Sequence, residues 1–349
     1  MAAPSDLEIV AFDPATASDA ERRAVHSIVA SIELEQLPDD QPIPYEEWIE
    51  DESREMPLLR TRRRWVARLG PATVGYAAST EEHEGNTHLA WADISVVAAQ
   101  RRQGIGTELL RAVVAAAHSA GRTSVGLNAR DDADGAIAFL TKFGLTPRIR
   151  EHHNRLLMSD LDVPMLQSWV DRASMRAGGY DLAMWDGPTP EELLEPFARV
   201  TEVMNTAPTE DLDWRDERVT PEQLREREQR RVDVGIDWWN VCAVERSTGH
   251  FAGFTQMFFT KWRKERAFQG GTAVDPPHRD KGLGRWLKAA MLLRILDEKP
   301  EVEKVDTWNA GSNEPMLGIN HALGFAPIEV WVGHQADIDV VTKHLEEAR

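Results

Sequence analysis

Two stretches decide how this chain is read: Val96-Val97-Ala98-Ala99-Gln100-Arg101-Arg102-Gln103-Gly104-Ile105-Gly106 and Val274-Asp275-Pro276-Pro277-His278-Arg279-Asp280-Lys281-Gly282-Leu283-Gly284. In the first, Arg101 to Gly106 follows the apolar run Ile94 to Ala98; in the second, Arg279 to Gly284 follows Gly271 to Val274, and each opens a helical pattern. Both contain Arg-x-x-Gly-x-Gly. Glycines at a strand-to-helix turn let the backbone approach a ligand closely. The first amides of the helix stay unpaired there, so a pyrophosphate can be held by N–H groups and the helix dipole. Either copy alone also reads as an ordinary Gly-containing turn before a helix.

Register separates the two readings. Val96 and Val274, Arg101 and Arg279, Gly104 and Gly282, and Gly106 and Gly284 are all 178 positions apart. Farther on, Asn128 answers Asn309 at an offset of 181, and Phe143-Gly144-Leu145 answers Leu323-Gly324-Phe325 at 180. Landmarks of several kinds at offsets that drift only from 178 to 181 indicate duplication of a whole domain. The expected organisation is an N-terminal domain over 1–162, a connecting helix and linker over 163–179 with Gly178-Gly179 as its joint, and a C-terminal domain over 180–349.

A chain of 349 residues is long enough for two domains with real cores. No apolar run approaches the roughly 18 residues of a membrane span, and Met1-Ala2-Ala3-Pro4-Ser5-Asp6 lacks the basic and apolar regions of a signal peptide. A cytoplasmic location is expected. Arg far outnumbers Lys, a hint of a GC-rich bacterial genome. Cys242 is the single cysteine, which excludes an intramolecular disulfide and a cysteine-based metal cluster, and its apolar surroundings read as a buried strand. No metal site is expected. The formal net charge of -18 opposes nucleic-acid binding and suits a cationic small substrate, or simply keeps the protein soluble.

Hydrophobic periodicity gives each half the same order of elements. In the first half, a strand at 7–12 and helices at 17–34 and 45–56 precede strands at 64–69, 74–79 and 88–98. A helix at 104–118, a strand at 124–129, a helix at 133–142 and two short strands at 145–150 and 153–158 complete the unit. In the second half a strand at 180–186 precedes helices at 189–205, capped by Thr189, and at 220–231, capped by Thr220. Strands at 240–245, 253–259 and 267–274, a helix at 284–296, a strand at 305–309, a helix at 315–323 and a late strand at 328–333 follow. Both halves are mixed α/β (α+β) with one central sheet.

With its two signatures, its downstream Asn and its closing Leu-Gly-Phe, the chain resembles the GNAT superfamily of N-acyltransferases in tandem. The arrangement is similar to that of mycothiol-synthase-like enzymes without matching them closely. The resemblance implies acetyl-CoA as acyl donor, a strand that splays from its neighbour at a bulge, and pantetheine in the gap. By position, Ile94, Val96, Thr272, Ala273 and Val274 would border pantetheine. Arg101, Arg102, Gln103, Gly104, Ile105, Gly106 and Thr107 would hold one pyrophosphate, and Arg279, Asp280, Lys281, Gly282, Leu283, Gly284 and Arg285 the other. Asn128, Asn309 and Asn313 are further candidates for the cofactor.

Acetyl transfer to an amine needs a neutral nucleophile, a polarised thioester carbonyl and a route for the thiolate to leave. The family's usual acid, a Tyr five residues before the closing Phe, is replaced by Leu140 in the first half and Asn320 in the second. Asn309, Asn320 and His321 are therefore the candidate catalytic residues, backed by Ser312 and Asn313. An Asn at a strand end can also be turn chemistry, and His321 can be a surface-helix residue. His88 and Asp93 lie an odd number of positions apart on one strand, so only one can face a site. Most of the twelve tryptophans are expected in the core, with some available for an aromatic wall. The expected function is an acetyl-CoA-dependent N-acetyltransferase acting on a small amine through its second domain. The alternative is an acyl-CoA-binding or sensing protein without turnover. Oligomeric state stays open, and no membrane partner is expected.

Overall fold

The computed structural model describes residues 3–176 and 178–348. The expected linker includes Ala177, which lies outside the described residues. The chain forms two compact units: unit 1 is Met1–Arg148 with Asp211–Arg215 and Val332–Arg349, and unit 2 is Ile149–Glu210 with Asp216–Trp331. The expected domain bounds are 1–162 and 180–349, with a linker over 163–179. The units differ from these in that 149–162 belongs to unit 2, and 211–215 and 332–349 belong to unit 1.

The elements are, in chain order, β1 (Leu7–Ala11), α1 (Asp19–Gln36), α2 (Tyr45–Glu52), β2 (Arg60–Leu69), β3 (Ala72–Glu82), β4 (Leu89–Val96), α3 (Ile105–Ser119), β5 (Ser124–Arg130), α4 (Asp134–Lys142) and β6 (Thr146–Leu157). They continue with α5 (Val163–Arg176), β7 (Tyr180–Asp186), α6 (Glu191–Thr201), α7 (Pro221–Asp233), β8 (Ile236–Glu245), β9 (Phe251–Thr260) and β10 (Arg266–Val274). Last come α8 (Leu283–Glu298), β11 (Lys304–Ala310), α9 (Glu314–Leu323), β12 (Ala326–Asp337) and α10 (Ile338–Glu347). In unit 1 the strand order is β1-β2-β3-β4-β5, followed by the C-terminal residues of β12. In unit 2 it is β6-β11-β10-β9-β8-β7, with the first half of β12 on the outer side of β6.

Each unit has its own core. In α3 the apolar positions Ile105, Leu109, Leu110, Val113, Val114 and Ala117 form the stripe expected of an amphipathic helix lying on a sheet. Helix α8 is buried more nearly all round, because α5 covers it with Leu166, Trp169 and Val170 while Trp239, Val241 and Met257 meet it from the sheet. Burying each such side chain contributes about 1.5–3 kcal/mol.

Three local expectations are corrected. The two short strands at 145–150 and 153–158 are one strand, β6, whose buried His153 and Asn154 disguise it: His153 Nδ1 meets Glu329 on β12, and Asn154 Nδ2 donates to His152 O and reaches Asn309 on β11. The late strand runs on to Asp337 for a similar reason, since His334 and Gln335 are buried, and α10 follows it unforeseen. Thr189 does not cap α6. Its backbone N–H and its hydroxyl donate to Glu228, while Trp185 Nε1 donates to the hydroxyl at 3.2 Å. Thr220 does cap α7, in a reciprocal box with Gln223 behind Pro221.

Candidate functional site

The two Gly-rich loops fold alike. In each, a short 3-10 turn leads to an extended arginine, Arg101 or Arg279, then to a residue at positive φ, 66° at Arg102 and 63° at Asp280. Gly104 at φ 82° and Gly282 at φ 83° then cap α3 and α8 in the left-handed region, which explains glycine there. The first amides of each helix have no acceptor inside their own helix, as at any helix N-terminus.

The structure divides the expected pyrophosphate ligands. Arg101 Nε donates to Val96 O at 3.0 Å, and Arg279 Nε donates to Val274 O at 2.9 Å, so both guanidiniums anchor their loops. Ile105 and Leu283 send their side chains into the cores and offer only backbone. Gln103 donates to Ala99 O, Lys281 donates to the Tyr180 hydroxyl, and the Arg285 guanidinium lies over the Trp169 ring at 5.2 Å. A Cβ at Gly284 would press on Ile319 at 3.3 Å, whereas one at Gly106 would meet Phe139 at an ordinary contact distance of 3.5 Å. In unit 1, Ile94 and Val96 pack against the core. In unit 2, Thr272 pairs with Thr255 through their hydroxyls at 2.7 Å, while Ala273 and Val274 pack inward.

Beyond the cradle the strands part. In unit 2, β10 and β11 pair only from Arg266↔Lys304 to Phe268↔Asp306, although β11 continues to Ala310. The β9–β10 register shifts between Gln269 and Thr272, a bulge occupied by Gly270 and Gly271. In unit 1, β4 and β5 pair from Leu89↔Ser124 to Ala92↔Leu127 and then separate. There β3–β4 pairing is continuous from Gly75↔Val96 to Glu81↔Ala90, so the bulge expected of both halves is present in β10 alone of the two.

Next to the opening in unit 2 lies a chain of buried amides. Asn320, fully buried in α9, donates through Nδ2 to Asn309 Oδ1 at 2.7 Å, and Asn154 Nδ2 reaches the same oxygen at 3.5 Å. Lys288 Nζ donates to Asn320 Oδ1 at 2.8 Å, and burial draws the pKa of this lysine down to about 7. The structure thus brings Asn309 and Asn320 together. His321 is exposed on the next position of α9, and Asn313 caps that helix by accepting from Met316 N. In unit 1 the equivalent Asn128 Oδ1 is buried, and no protein group donates to it among the described residues. Lys288 was missed in the sequence, where its only signal is a cation inside the otherwise apolar stretch Trp286 to Leu293 of α8.

On the opposite face of β11, Asp306 is fully buried and accepts from Arg155 at 2.7 and 2.9 Å and pairs with Arg266 at 2.5 Å. Burial alone would raise its pKa; Arg155, His153 and Arg266 instead hold it far below the usual carboxylate range. His153 bonds Glu329 at 2.9 Å and stacks on Trp308, ring centroids 4.3 Å apart. Burial opposes its protonation, but Asp306 and Glu329 raise its pKa overall.

Unit 1 carries a different polar recess. Asp93 is accessible to solvent yet densely surrounded, and burial, then the charge of Glu52 against that of Arg62, raises its pKa. Glu52 there pairs with Arg64 at 2.6 Å and Arg62 at 3.0 Å, and accepts from the Tyr76 hydroxyl. His88 sits outside this recess, 3.1 Å from Asp213, as opposite faces of one strand require. In unit 2, His250, Asp275 and His278 place ligand atoms within 4.8 Å of one another just ahead of the cradle, near enough to share one cation, where no metal ligands were expected. Cys242 is buried, which pushes its thiol pKa up. No helix among the described residues is long and apolar enough to cross a membrane.

Duplicated cradles, splayed parallel strands and an Asn at the end of the fifth strand of each half are the parts of an acyltransferase. The model of the acetyltransferase (GNAT) family matches residues 27–145 and again 206–325, and the chain belongs to that family, with its domains in tandem. Among solved structures it is similar to a tandem GNAT protein from the clavulanic acid biosynthesis pathway, without AcCoA, at 26% identity and TM-score 0.76, covering 95% of this chain and 98% of the other. A GCN5-related N-acetyltransferase from Sphaerobacter thermophilus shares the fold at 16% identity and TM-score 0.67 over 96% and 97% of the two chains. A fungal multi-domain protein with a glucosamine N-acetyltransferase region shares it at 15% identity and TM-score 0.66, over 95% of this chain and 38% of that one. Comparison with curated protein sequences finds no match.

Proposed function

We propose that the protein is an acetyl-CoA-dependent N-acetyltransferase for a small-molecule amine, with transfer in unit 2. The carrying observation is the Gly270-Gly271 bulge beside the opening between β10 and β11. A bulge frees backbone groups from the ladder, and an N–H so freed can polarise a thioester carbonyl without any special side chain. Acetyl-CoA supplies an activated acyl group. The amides after Gly282 would receive its pyrophosphate, Thr272 to Val274 would line its arm, and Asn309 would donate to it from the far side of the opening.

The amine must arrive neutral, its proton passed to water or a carboxylate. Its nitrogen then forms the amide bond as the C–S bond breaks; the sulfur keeps the electron pair and leaves as CoA thiolate, and the nitrogen gives up its second proton to water or to that thiolate. A thiol of pKa near 8.5 leaves tolerably without a general acid, in keeping with Asn320 where the family has Tyr. For unit 1 a reading as an acyl-CoA-binding domain without transfer is favoured by its continuous β3–β4 pairing. Titration of acetyl-CoA by calorimetry into the parent, Gly104→Glu and Gly282→Glu chains tests both cradles, because an inserted carboxylate repels the pyrophosphate. Two sites in the parent and one in each variant are expected. A parent that binds no acetyl-CoA rejects the reading.

A further inference from the structure

Arg231, in α7, sits in unusual surroundings for a guanidinium. Its Cζ lies 5.4 Å from the Trp238 ring centroid and 4.7 Å from that of Phe258. Nη1 is buried, and no protein group accepts from it among the described residues. Burial, offset only in part by Glu228, draws its pKa to about 10. Glu228 is itself engaged, accepting from Thr189 and from Arg225.

Two more buried donors share this face. Trp238 Nε1 and Asn240 Nδ2 meet no protein acceptor among the described residues, and both residues are almost wholly buried. Asn240 Oδ1 already accepts from Gln256 Nε2 at 2.8 Å, which fixes the donor end of that amide as the unserved one. Standing two apart on β8, Trp238 and Asn240 point the same way. Each buried donor left unserved costs about 1–3 kcal/mol, and a charged one more. Three together call for a ligand that brings acceptors.

Their place relative to the opening gives that ligand a role. Helix α8 packs on the other face of the sheet, against Trp239, Val241 and Met257. Phe258 pairs with Trp238 across β8 and β9, and its ring covers the bulge: a Cβ on Gly270 would stand 2.3 Å from Phe258 Cε2. The path from the guanidinium across one ring therefore ends at the bulge. If the acyl arm reaches the gap from the cradle of α8, its partner has this face left to enter by.

We infer that the amine acceptor of unit 2 carries a carboxylate, bound by Arg231 with Trp238 and Asn240 donating to the same molecule, and that its amine end lies at the Gly270 bulge. The guanidinium fork matches a carboxylate by two parallel hydrogen bonds, and the aromatic walls exclude competing water. A chain of net charge -18 repels an anion, so a zwitterion of the amino-acid type is the class that fits.

The inference rests on the acyltransfer reading and is tested so that the two can fail separately. Thiol release from acetyl-CoA is measured on the full chain with matched acceptors, each amino acid beside its decarboxylated amine: alanine and ethylamine, ornithine and putrescine, tyrosine and tyramine, histidine and histamine. The carboxylate member of at least one pair should lead by about tenfold or more in kcat/KM. Arg231→Met should collapse that ratio through KM rather than kcat, and Arg231→Lys, which keeps charge without the fork, should give an intermediate ratio and carries the test if the Met variant does not fold. Equal use of both members, or an unchanged ratio in the variants, overturns the inference alone. Failure of every amine overturns the acyltransfer reading and this inference with it.

Discussion

Lys288 Nζ in α8 lies 2.8 Å from Asn320 Oδ1 in α9, and the matching positions of the first half hold Leu110 and Leu140, both buried. The fold is thus compatible with an apolar pair where unit 2 keeps a polar one. Burial places the lysine pKa at about 7 against an ordinary 10.5, so between those values the unfolded chain binds more protons and stability rises with pH. A Lys288→Leu/Asn320→Leu chain should exceed the parent in stability at pH 6 by several kcal/mol, with the gap closing toward pH 10. Urea denaturation at pH 6, 8 and 10 reads this; a gap independent of pH would contradict the assignment.

Gly270 is held by sterics. A Cβ there would overlap the Phe258 ring, so Gly270→Ala should cost about 1–3 kcal/mol in denaturant stability. Trimming the ring in Gly270→Ala/Phe258→Leu should return part of that loss. An uncompensated double variant would show that the backbone, not the ring, forbids the side chain.

Asp306 should be the costliest single ionised group to remove from unit 2. Asp306→Asn leaves Arg155 and Arg266 without their buried carboxylate, and a loss of about 3–5 kcal/mol is expected by chemical denaturation. The depressed pKa adds a pH signature: its stabilisation is present above the ordinary 3.8 and lost as pH falls toward the lowered folded value. A parent and variant that converge already at pH 6 would exclude this role.

His153 acts in the opposite sense. Its folded pKa is raised above 6.5, so its contribution is full below 6.5 and fades as pH climbs through the folded value. The stability difference between parent and His153→Gln should therefore be larger at pH 6 than at pH 9. An NMR titration of the ring that gives a midpoint at or below 6.5 would contradict it.

Thr220→Ala should lose about 1 kcal/mol by removing the hydroxyl that accepts from Gln223 N–H in the α7 capping box, and Thr220→Ser should lose little. Equal losses in the two would point to the methyl group rather than the hydroxyl.

Much of this was open to a sequence reader. Glycines at 104 and 282 announce loops that need positive φ, and their equal spacing from Val96 and Val274 announces the repeat. Asn309 and Asn320 were legible by their distance from Leu323-Gly324-Phe325 and do meet in space. Polar positions misled where burial reversed their meaning: His153 and Asn154 broke the apparent strand β6, and Thr189, with Pro190 beside it, imitated a cap while serving Glu228. Nothing local marked Asp306 as the centre of an ion network, because its partners Arg155 and Arg266 lie on other strands.

The sequence by itself determined the family, the duplication and the two Gly-rich turns, since these rest on backbone conformations that neighbouring residues dictate. Only the tertiary structure decided that the bulge belongs to β10 and not to β4, that Arg101 and Arg279 tie down loops, that Lys288 stands buried behind Asn320, and that Arg231 faces the bulge across Phe258. Those facts depend on contacts between residues far apart in the chain, and burial alone decides whether a charge met there is solvated, paired or left for a ligand.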